Sequence, residues 1–576
     1  MVKPNIKTKS SRRTQAIVQV LMALGIVIAI NIIASLYFKR FDLTGDKRYT
    51  LSPTTKTILK GLKDQVFVKV YLEGKDLPPG FRKLSESTRE ILDEFRVIGG
   101  DNIQYQFINP DDLDPKVKDD LFKELTGKGL PPMEVEVRKE EEDVKKTIVP
   151  GAIVTYNNKD FPVELLEQQR GDISPDEILH NSTIDLEYQL MNAVHKLQQT
   201  TQPKIAIIQG HGELKIPDIQ DIAQSLSQYY NVDFVNLPDY KVGRLDPYAA
   251  IIIAKPDSTF TELEKYKIDQ FIMKGGRVLW LISTLNVPMD SMKKGITYSY
   301  DYKLNLVEDF LFKYGVRINY DLVQDLNCNV IPLITPEGSG TRKNLLKWPY
   351  YPLVLPQSNH PIVHNLGAVF FQNANTIDTI DSRQNQKVKK TVLLQTSPST
   401  RVMMNPVRID LGLVSTIKRD ISLYNQGPKT LAVLLEGEFN SNFINRKPTP
   451  EALASGEYGV FQEKSKPTKM IIISDGDVIR NQVDHERQLP LPLGYDRYSD
   501  HTFSNKTFIL NCIDYMVDES GLIALRSKDI PYRPLNNSRI KSERLYWQII
   551  NMALPLAAIV FFGIIFNYIR RRRFAH

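Results

Sequence analysis

The sequence predicts an α/β protein that is tethered to a membrane near both ends of the chain. Short apolar runs alternate with stretches of helical spacing, and the connections between them are short, which together predict the α/β class. Two runs of 23 residues without a formal charge, at 16–38 and 547–569, predict the tethers. A helix of this length reaches roughly 34 Å, enough to cross a hydrocarbon core of about 30 Å.

We assign transmembrane helices to residues 16–38 and 546–569. Basic tails flank them at 1–15 and 570–576, and clustered Lys and Arg beside a span mark its cytoplasmic side. A cleaved signal peptide is the alternative for the first run, but the apolar part exceeds about 15 residues and no small-x-small site precedes Lys39. We therefore expect both termini in the cytoplasm and the middle of the chain across the membrane.

The formal net charge of +7 originates in the two tails. Nine Lys and Arg residues lie there without an acidic neighbour, and removing their charges leaves −2 for the rest of the chain. A nearly neutral large domain predicts no nucleic-acid partner. Cys328 and Cys512 are far apart in sequence and predict no disulfide framework, although their redox state stays open; the apolar pattern around Cys512 predicts a core thiol.

Residues 41–170 are predicted to form a membrane-proximal α/β domain. Ser52 and Pro53 are a good N-cap and first helical residue, so a helix begins there. The elements expected next are a strand at 66–72, a helix at 85–98, and strands at 103–108, 133–138, 152–156 and 161–164. The charged run 139–146 is interpreted as a solvated hairpin tip. The layout is thioredoxin-like, but without a Cys-x-x-Cys motif it predicts no redox chemistry.

A linking helix at 171–201 is expected to lead into a second α/β domain at 202–530. Its first strand, 204–208, is an unbroken apolar run of the kind that is buried on both faces. Alternating strands and helices then predict a doubly wound parallel sheet, flavodoxin-like or glutamine-amidotransferase-like, with β-rich insertions. Thr261 with Glu264 predicts a capping box at the start of a helix before the strand 277–282. The other predicted elements are strands at 232–236, 250–254, 277–282, 369–371, 392–395, 431–435 and 470–474, helices at 304–314 and 506–517, proline-rich loops around 332–361, and a polar connector at 531–545.

One candidate functional loop follows the first strand of the large domain. Open α/β sheets bind ligands at the carboxyl ends of their strands, and His211 and Glu213 lie there between and after two glycines. They could form a metal or acid–base pair. The simpler interpretation, which we favour, is a tight strand-to-helix turn in which His211 and Glu213 cap the first helical turn.

A second candidate loop holds Asp475 and Asp477 after the apolar strand 470–474. A strand followed by Asp-x-Asp resembles the start of a phosphoryl-transfer site of the haloacid dehalogenase type. The chain leaves little room for the partners that such a site needs, and paired Asp residues at a strand end more often form a turn and a cap. Walker A, Gly-x-Ser-x-Gly and His-Glu-x-x-His motifs are absent, so the sequence predicts no catalytic residue, no cofactor and no metal.

Several short motifs, taken in order, resemble one family. They are 40–44 (Arg-Phe-Asp-Leu-Thr), 49–52 (Tyr-Thr-Leu-Ser), 207–213 (Ile-Ile-Gln-Gly-His-Gly-Glu), 435–437 (Leu-Glu-Gly), 474–477 (Ser-Asp-Gly-Asp) and 511–515. Together with the two terminal spans, they are similar to the ABC-transporter auxiliary proteins of the gliding-motility type, the GldG family. The resemblance covers nearly the whole chain.

This resemblance implies a non-ATPase subunit that works with a multi-span permease and a separate cytoplasmic ATPase in the inner membrane of gliding bacteria, with the large domain in the periplasm. It also implies an amidotransferase-like domain of the kind found in an intraflagellar-transport protein, and it carries no catalytic residues. Two spans are too few for a conduction path, so partner helices are needed. Asn31 and Asn551 are candidate contacts to those helices, and a second copy of the chain is a further candidate partner.

The leading hypothesis is therefore an anchored, non-enzymatic, extracytoplasmic auxiliary subunit of an ABC-type complex for gliding motility. A membrane-tethered hydrolase that uses the two candidate loops is one alternative. A cell-wall or glycan binding module is another, for which Trp348 and Tyr350 are the candidate aromatic residues.

Overall fold

The structure is a computed structural model, and it describes residues 17–18, 20–29, 31, 50–74, 76–139, 142–167, 174–199, 201–337, 340–381, 387–416, 420–446, 460–484, 489–527 and 537–574. The chain forms two compact units, Met1–Ser52 and Pro53–His576. The predicted basic tail at 1–15 and the motif at 40–44 lie outside the described residues, as does the start of the predicted connector.

The larger unit contains all the strands and most of the helices that the structure describes. The helices are α1 (Pro53–Lys60), α2 (Pro79–Gly99), α3 (Pro115–Gly127), α4 (Pro175–Gln198), α5 (Gln220–Ser227), α6 (Glu262–Met273), α7 (Phe312–Tyr314), α8 (Leu413–Thr416), α9 (Asn505–Val517) and α10 (Asn537–Phe574).

The strands run in chain order from the small sheet into the large one and its insertion. They are β1 (Val66–Val70), β2 (Ile103–Phe107), β3 (Met133–Lys139), β4 (Glu142–Ile148), β5 (Gly151–Tyr156), β6 (Lys159–Glu164), β7 (Lys204–Gln209), β8 (Asn231–Asn236), β9 (Tyr248–Ala254), β10 (Arg277–Leu281), β11 (Leu285–Asn286), β12 (Ile296–Tyr298), β13 (Tyr300–Asp301), β14 (Val316–Ile318), β15 (Asp321–Asp325), β16 (Cys328–Glu337), β17 (Gly340–Val354), β18 (Val369–Phe370), β19 (Ile377–Thr379), β20 (Lys389–Gln395), β21 (Thr400–Met404), β22 (Arg408–Asp410), β23 (Thr430–Gly437), β24 (Thr468–Ile473), β25 (Val483–Asp484), β26 (Leu489–Pro490), β27 (Tyr495–Asp496) and β28 (His501–Thr502).

The first part of the larger unit contains a four-stranded sheet with the order β2–β1–β5–β6. β1 is parallel to β2, and β5 is antiparallel to both β1 and β6. The strand–helix–strand unit expected here is present, because Leu84, Leu92 and Phe95 bury one face of α2. The predicted hairpin tip at 139–146 is wrong in part, since β4 continues through most of it and pairs antiparallel with β3.

The sequence analysis missed α3, whereas the linking helix expected at 171–201 is present as α4. Few apolar residues mark α3, and Val117 within it is exposed, so its periodicity is weak. α4 begins at Pro175 after the N-cap Ser174, whose hydroxyl accepts a hydrogen bond from the Glu177 amide at 3.2 Å.

The large domain is built on a seven-stranded sheet with the order β20–β23–β24–β10–β9–β7–β8. The five strands from β24 to β8 are parallel, and β23 and β20 add an antiparallel edge. Both faces are covered, as the unbroken apolar runs predicted. One face packs Ile205 and Ile207 against α5 and α9, and the other packs Ala206 and Ile208 against α6 and the segment before α7.

The proline-rich stretch expected to be loops is mainly a β insertion, which corrects that prediction. Its largest element is the antiparallel hairpin of β16 and β17. Pro332 lies within β16, which is possible because β16 pairs with β17 alone and an edge strand can lack ladder donors. The helix predicted at 304–314 is instead a π-helical turn, Leu306–Leu311, followed by the short α7.

The C-terminal helix α10 is the one helix among the described residues that is long and apolar enough to cross a membrane, over Ser542–Arg572. It starts at Asn537, so the later half of the predicted connector at 531–545 is helical, which corrects that boundary. Near the other terminus the described residues include a shorter apolar helix, Val20–Ala29, and the span at 16–38 stays a prediction.

Candidate functional site

The loops that carry the candidate residues meet at one edge of the large sheet. β7 has β8 on one side and β9 on the other, so the chain reverses its direction of travel across the sheet between β7 and β9. Open α/β sheets place their ligand crevice outside the carboxyl ends of the strands at such a point. The loops after β7, β9, β10 and β24 all border a cleft of about 460 Å³ at this edge.

His211 lies inside the loop after β7 and is only 4% exposed. Its ring stacks on Phe260 with the centroids 3.7 Å apart and the planes 11° from parallel. Its Nε2 atom is 3.2 Å from Oε2 of Glu264, and its Nδ1 atom is 3.5 Å from Oε1 of Glu213. Both ring nitrogens therefore face a carboxylate of the protein itself.

The two carboxylates set the charge of this histidine. Burial works to lower the pKa of His211, but Glu213 and Glu264 favour the imidazolium and the net pKa is raised above its ordinary value. Burial acts to raise the pKa of Glu264, yet its hydrogen bonds to Thr261 and its contact with His211 leave it lowered. The arrangement is a buried cluster in which two carboxylates favour the protonated form of one imidazole.

Two glycines make the loop possible. Gly210 and Gly212 have φ values of 120° and 73°, and a side chain at Gly212 would overlap the carboxylate of Asp257. The connection from β7 to α5 is longer than the expected tight turn, since it covers residues 210–219. The expected helix cap is wrong, because α5 begins only at Gln220 and Oε2 of Glu213 instead accepts the amide hydrogen of His211 at 2.6 Å.

Asp475 and Asp477 follow β24 and have different partners. Asp475 is fully buried; its Oδ1 accepts from the Asp477 amide at 2.8 Å and its Oδ2 from the Gln372 amide at 2.6 Å. It is the N-cap of the 3₁₀ turn Gly476–Ile479, as the interpretation of a turn and cap predicted. Burial, followed by the charge of Asp477, raises the pKa of Asp475 to about 7.

Asp477 faces the cleft between two cations. Its Oδ2 pairs with the ammonium of Lys255, and its Oδ1 lies 2.6 Å from Nη1 of Arg480. Burial would raise its pKa, but Lys255 and then Arg480 lower it below the ordinary value. Lys255 has a left-handed backbone with φ of 54°, and Gly476 packs so closely that an added Cβ would lie 2.8 Å from the Lys255 Cα atom.

The structure thus brings the two candidate loops to one cleft, but through residues that the sequence analysis did not select. Glu264 was assigned only to a capping box with Thr261, which is confirmed. Lys255 and Arg480 carried no recognisable motif. A basic residue directly after an apolar strand was the available signal for Lys255, and it is too common to be specific.

The chemistry of this edge is electrostatic. Each ionised side chain at its floor is paired with another, so the cleft presents fixed charges and hydrogen-bond groups to a ligand. Among the described residues, no group of three or more His, Cys, Asp and Glu side chains is arranged to hold a metal ion.

The remaining candidates are distributed elsewhere. Trp348 is 0% and Tyr350 1% exposed, and both pack in the core of the β insertion, so their selection as surface aromatic residues for glycan binding was wrong. Cys328 and Cys512 are free and buried, which confirms Cys512 as a core thiol. Asn551 is exposed on α10, and Asn31 donates a hydrogen bond to the Val27 carbonyl at 3.3 Å.

The fold, the cleft and α10 define a membrane-associated α/β protein with a doubly wound domain. Residues 202–512 match the model of the ABC transporter auxiliary family, described as an ABC-type uncharacterized transport system, and the chain belongs to this family. Residues 45–155 match a domain of unknown function (DUF7088). No curated protein matches. A solved structure titled "mmIFT52 N-terminal domain" is 12% identical, with a TM-score of 0.30, over 54% of this chain and 96% of that one.

Proposed function

We propose that the chain is a non-catalytic, membrane-anchored auxiliary subunit of an ABC-type transporter complex. The family match over 202–512 is the observation that supports this most strongly. The candidate membrane helix Ser542–Arg572 supplies an anchor that ends in a run of arginines, which favours a cytoplasmic C-terminus. A multi-span permease would then supply the transport path, and a separate ATPase the energy, because the chain has no Walker A motif.

The state of the candidate residues supports a role without a chemical step. A general base needs a nitrogen or oxygen within reach of the substrate proton. In His211 both ring nitrogens face Glu213 and Glu264, and the side chain is buried. Asp477 is neutralised by Lys255 and Arg480.

The finer assignments rest on the order of motifs in the sequence. They are the role in gliding motility, the placement in the bacterial inner membrane with both termini cytoplasmic, and the large domain in the periplasm. The same motifs favour a doubly wound domain of the amidotransferase-like type, and the sheet order β2–β1–β5–β6 favours a thioredoxin-like small domain. Self-association of the chain is part of the proposal as well.

Co-purification tests the proposal directly. The full chain would be expressed with its cognate permease and ATPase, and isolated through a tag in mild detergent. We expect both partners to elute with it in fixed proportion. Elution of the chain alone, under conditions in which the permease and ATPase stay bound to each other, would refute the assignment. A reporter fused after residue 576 should be active in the cytoplasm.

Span contacts can be tested in the same assay. Asn31→Leu combined with Asn551→Leu should weaken co-purification with the permease, because polar side chains that bond between membrane helices contribute about 0.6 kcal/mol each. Asn567→Leu is a matched control, since Asn567 lies three residues before the arginine run at the membrane surface. Equal retention in the double variant and the control would remove these residues from the interface.

A membrane-tethered hydrolase is the second candidate, favoured by the pKa of Asp475, which is raised to about 7, two residues before Asp477 on the cleft wall. Replacing His211, Glu213, Asp475 and Asp477 by alanine would disrupt buried ion pairs. Variants of nearly the same shape are therefore the better test. Glu213→Gln and Asp477→Asn should leave motility intact if the chain is non-catalytic. Loss of motility with normal folding and normal co-purification would favour the hydrolase instead.

A further inference from the structure

The cleft at the strand ends adjoins a second cavity of different character. That cavity has a volume of about 560 Å³ and is lined mainly by residues of the β insertion. Met289, Tyr351 and Gln372 line both spaces, so the two cavities are neighbours. A ligand that passes between these three side chains would reach both cavities.

The end at the strand termini carries the charge. At its floor, Lys255 and Arg480 share a single partner, the carboxylate of Asp477. Asp218 and Asp257 also line the cleft, and Lys215 lies with them. Glu213 turns inward to the His211 amide, and Asp257 is exposed at the rim, where it accepts from the Ser258 hydroxyl at 2.7 Å.

One donor at this floor is left for a ligand. The Nε atom of Arg480 is buried and has no hydrogen-bond partner among the described residues. A buried donor without an acceptor is costly, and a charged one more so. Asn373, also on the cleft wall, has an unpartnered side-chain oxygen, and rotation of its amide can present either donor or acceptor.

The end under the insertion is apolar. Met289, Met292, Leu333 and Leu411 line it, together with the ring of Phe370. Its buried acid, Asp496, is already engaged by Asn329 at 3.1 Å and by the Ser499 hydroxyl at 2.7 Å. Methionine side chains are flexible and adapt to irregular apolar groups, so this end suits a chain or ring of variable shape.

We propose that this two-part cleft binds an anionic amphiphile, with its carboxylate or phosphate head at Lys255 and Arg480 and its apolar portion among Met289, Met292 and Leu411. An anionic head supplies the acceptor that Arg480 Nε lacks and balances the second cation at the floor. The apolar portion removes from water the side chains at the other end. Carboxylate and phosphate heads satisfy the same donors, so a fatty acid and a phosphate-headed lipid share this chemistry.

Binding can be measured on the full chain in nanodiscs of zwitterionic lipid, by equilibrium dialysis against protein-free nanodiscs. The probes are octanoate and octyl phosphate. The controls are octyltrimethylammonium, which has the same tail with a cationic head, and inorganic phosphate, which has no tail. We expect saturable binding, with one probe per chain, for at least one of the two anionic amphiphiles, and none for the two controls. Equal binding of the cationic and anionic amphiphiles would overturn the proposal.

Variants at both ends locate the site. Arg480→Gln should lower the affinity for the anionic probe by about tenfold, because a hydrogen bond to a charged group is lost. Leu411→Ala should lower this affinity by about threefold or more, because apolar contact with the probe is lost. Arg408→Gln is the matched control, because Arg408 is an exposed arginine of the β insertion that pairs with Asp410. This variant should leave the affinity unchanged. An unchanged affinity in both cleft variants, with normal thermal unfolding, would place binding elsewhere and refute the site.

The natural ligand can be identified in extracts of the purified protein. Organic extracts of the wild type and of Arg480→Gln would be compared by mass spectrometry. Enrichment of a fatty acid or of a phosphate-headed lipid in the wild type supports the site and identifies the source. Enrichment of a peptide or a neutral lipid instead would contradict the anionic head. None of these results depends on whether the permease and ATPase co-purify, so the two proposals fail separately.

Discussion

The two candidate loops lie at the same edge of one sheet and carry similar residues, yet they are built differently. The loop after β7 is closed, because His211 is stacked on Phe260 and enclosed between Glu213 and Glu264. The loop after β24 is open on one side, because the cations that hold Asp477 also form the floor of the cleft. Residue type alone does not distinguish a structural ion cluster from a ligand-facing one.

The contrast follows from how each charge is shared. In the closed loop one histidine faces two carboxylates, and all three side chains are buried. In the open loop two cations share one carboxylate and border a cavity. The first arrangement stabilises the turn, and the second can recognise an anion.

The largest loss of stability is expected when the histidine is removed from the closed loop. His211→Ala would leave Glu213 and Glu264 buried without their shared cation, which costs about 3–5 kcal/mol when a buried charge loses its partner. Thermal or urea unfolding of the detergent-solubilised chain measures it. His501→Ala, a partly exposed histidine that meets Phe503 edge-on, is the control and should cost far less. Equal losses would mean that the cluster contributes nothing to folding.

A smaller loss of stability is expected when a side-chain atom is added to the open loop. Gly476→Ala would place a Cβ atom 2.8 Å from the backbone of Lys255, so the two loops must move apart. Overpacking of this kind costs about 1–3 kcal/mol. Gly127→Ala, at the end of α3 with no atom within 4 Å, is the matched control and should be neutral. A stable Gly476→Ala protein with unchanged cleft binding would contradict the close packing described here.

Much of the large sheet could be predicted because its signals are local. Unbroken apolar runs identified β7, β9, β10 and β24, and the Thr261–Glu264 capping box fixed the start of α6. β-rich insertions were expected, but the hairpin of β16 and β17 was assigned to loops, because the prolines within its strands imitate loops.

The site was harder to predict than the fold because its contacts join distant parts of the chain. Lys255 and Asp477 are 222 residues apart, and the amides bonded by Asp475 include that of Gln372, 103 residues away. The positions of His211, Glu213, Asp475 and Asp477 at strand ends were correct. Which of them face a ligand depended on Lys255 and Arg480, for which no local pattern exists.

The dependence of stability on pH should separate the two loops. The pKa of Asp475 is raised from its ordinary value of 3.8 to about 7, so between these values the folded state binds more protons than the unfolded state and stability falls as pH rises. The pKa of His211 is raised from 6.5, so its contribution is fully present below that value and is lost as pH rises further.

Asp475→Asn should therefore flatten the fall of stability between pH 4 and 7 by about 1 kcal/mol per pH unit, since one titrating proton corresponds to that slope. The variant also loses one of its two backbone hydrogen bonds, so the slope rather than the absolute stability is the measurement. His211→Gln should leave this window unchanged and flatten the curve only above about pH 6.5. Identical pH profiles for the two variants would show that the loops titrate as one unit.

The smallest effect on stability is expected at Arg480, although it lies in the more exposed loop. Its side chain is 38% exposed, and Asp477 keeps Lys255, whose side chain is only 16% exposed, when Arg480 is replaced. Partly exposed ion pairs contribute about 0–1 kcal/mol, so Arg480→Gln should unfold within that range of the wild type. Lys255→Met should cost more, because Asp477 would then lose its buried partner. If Arg480→Gln were instead as destabilising as Lys255→Met, the positive charge at the cleft floor would be structural, and the distinction between the closed and the open loop would not hold.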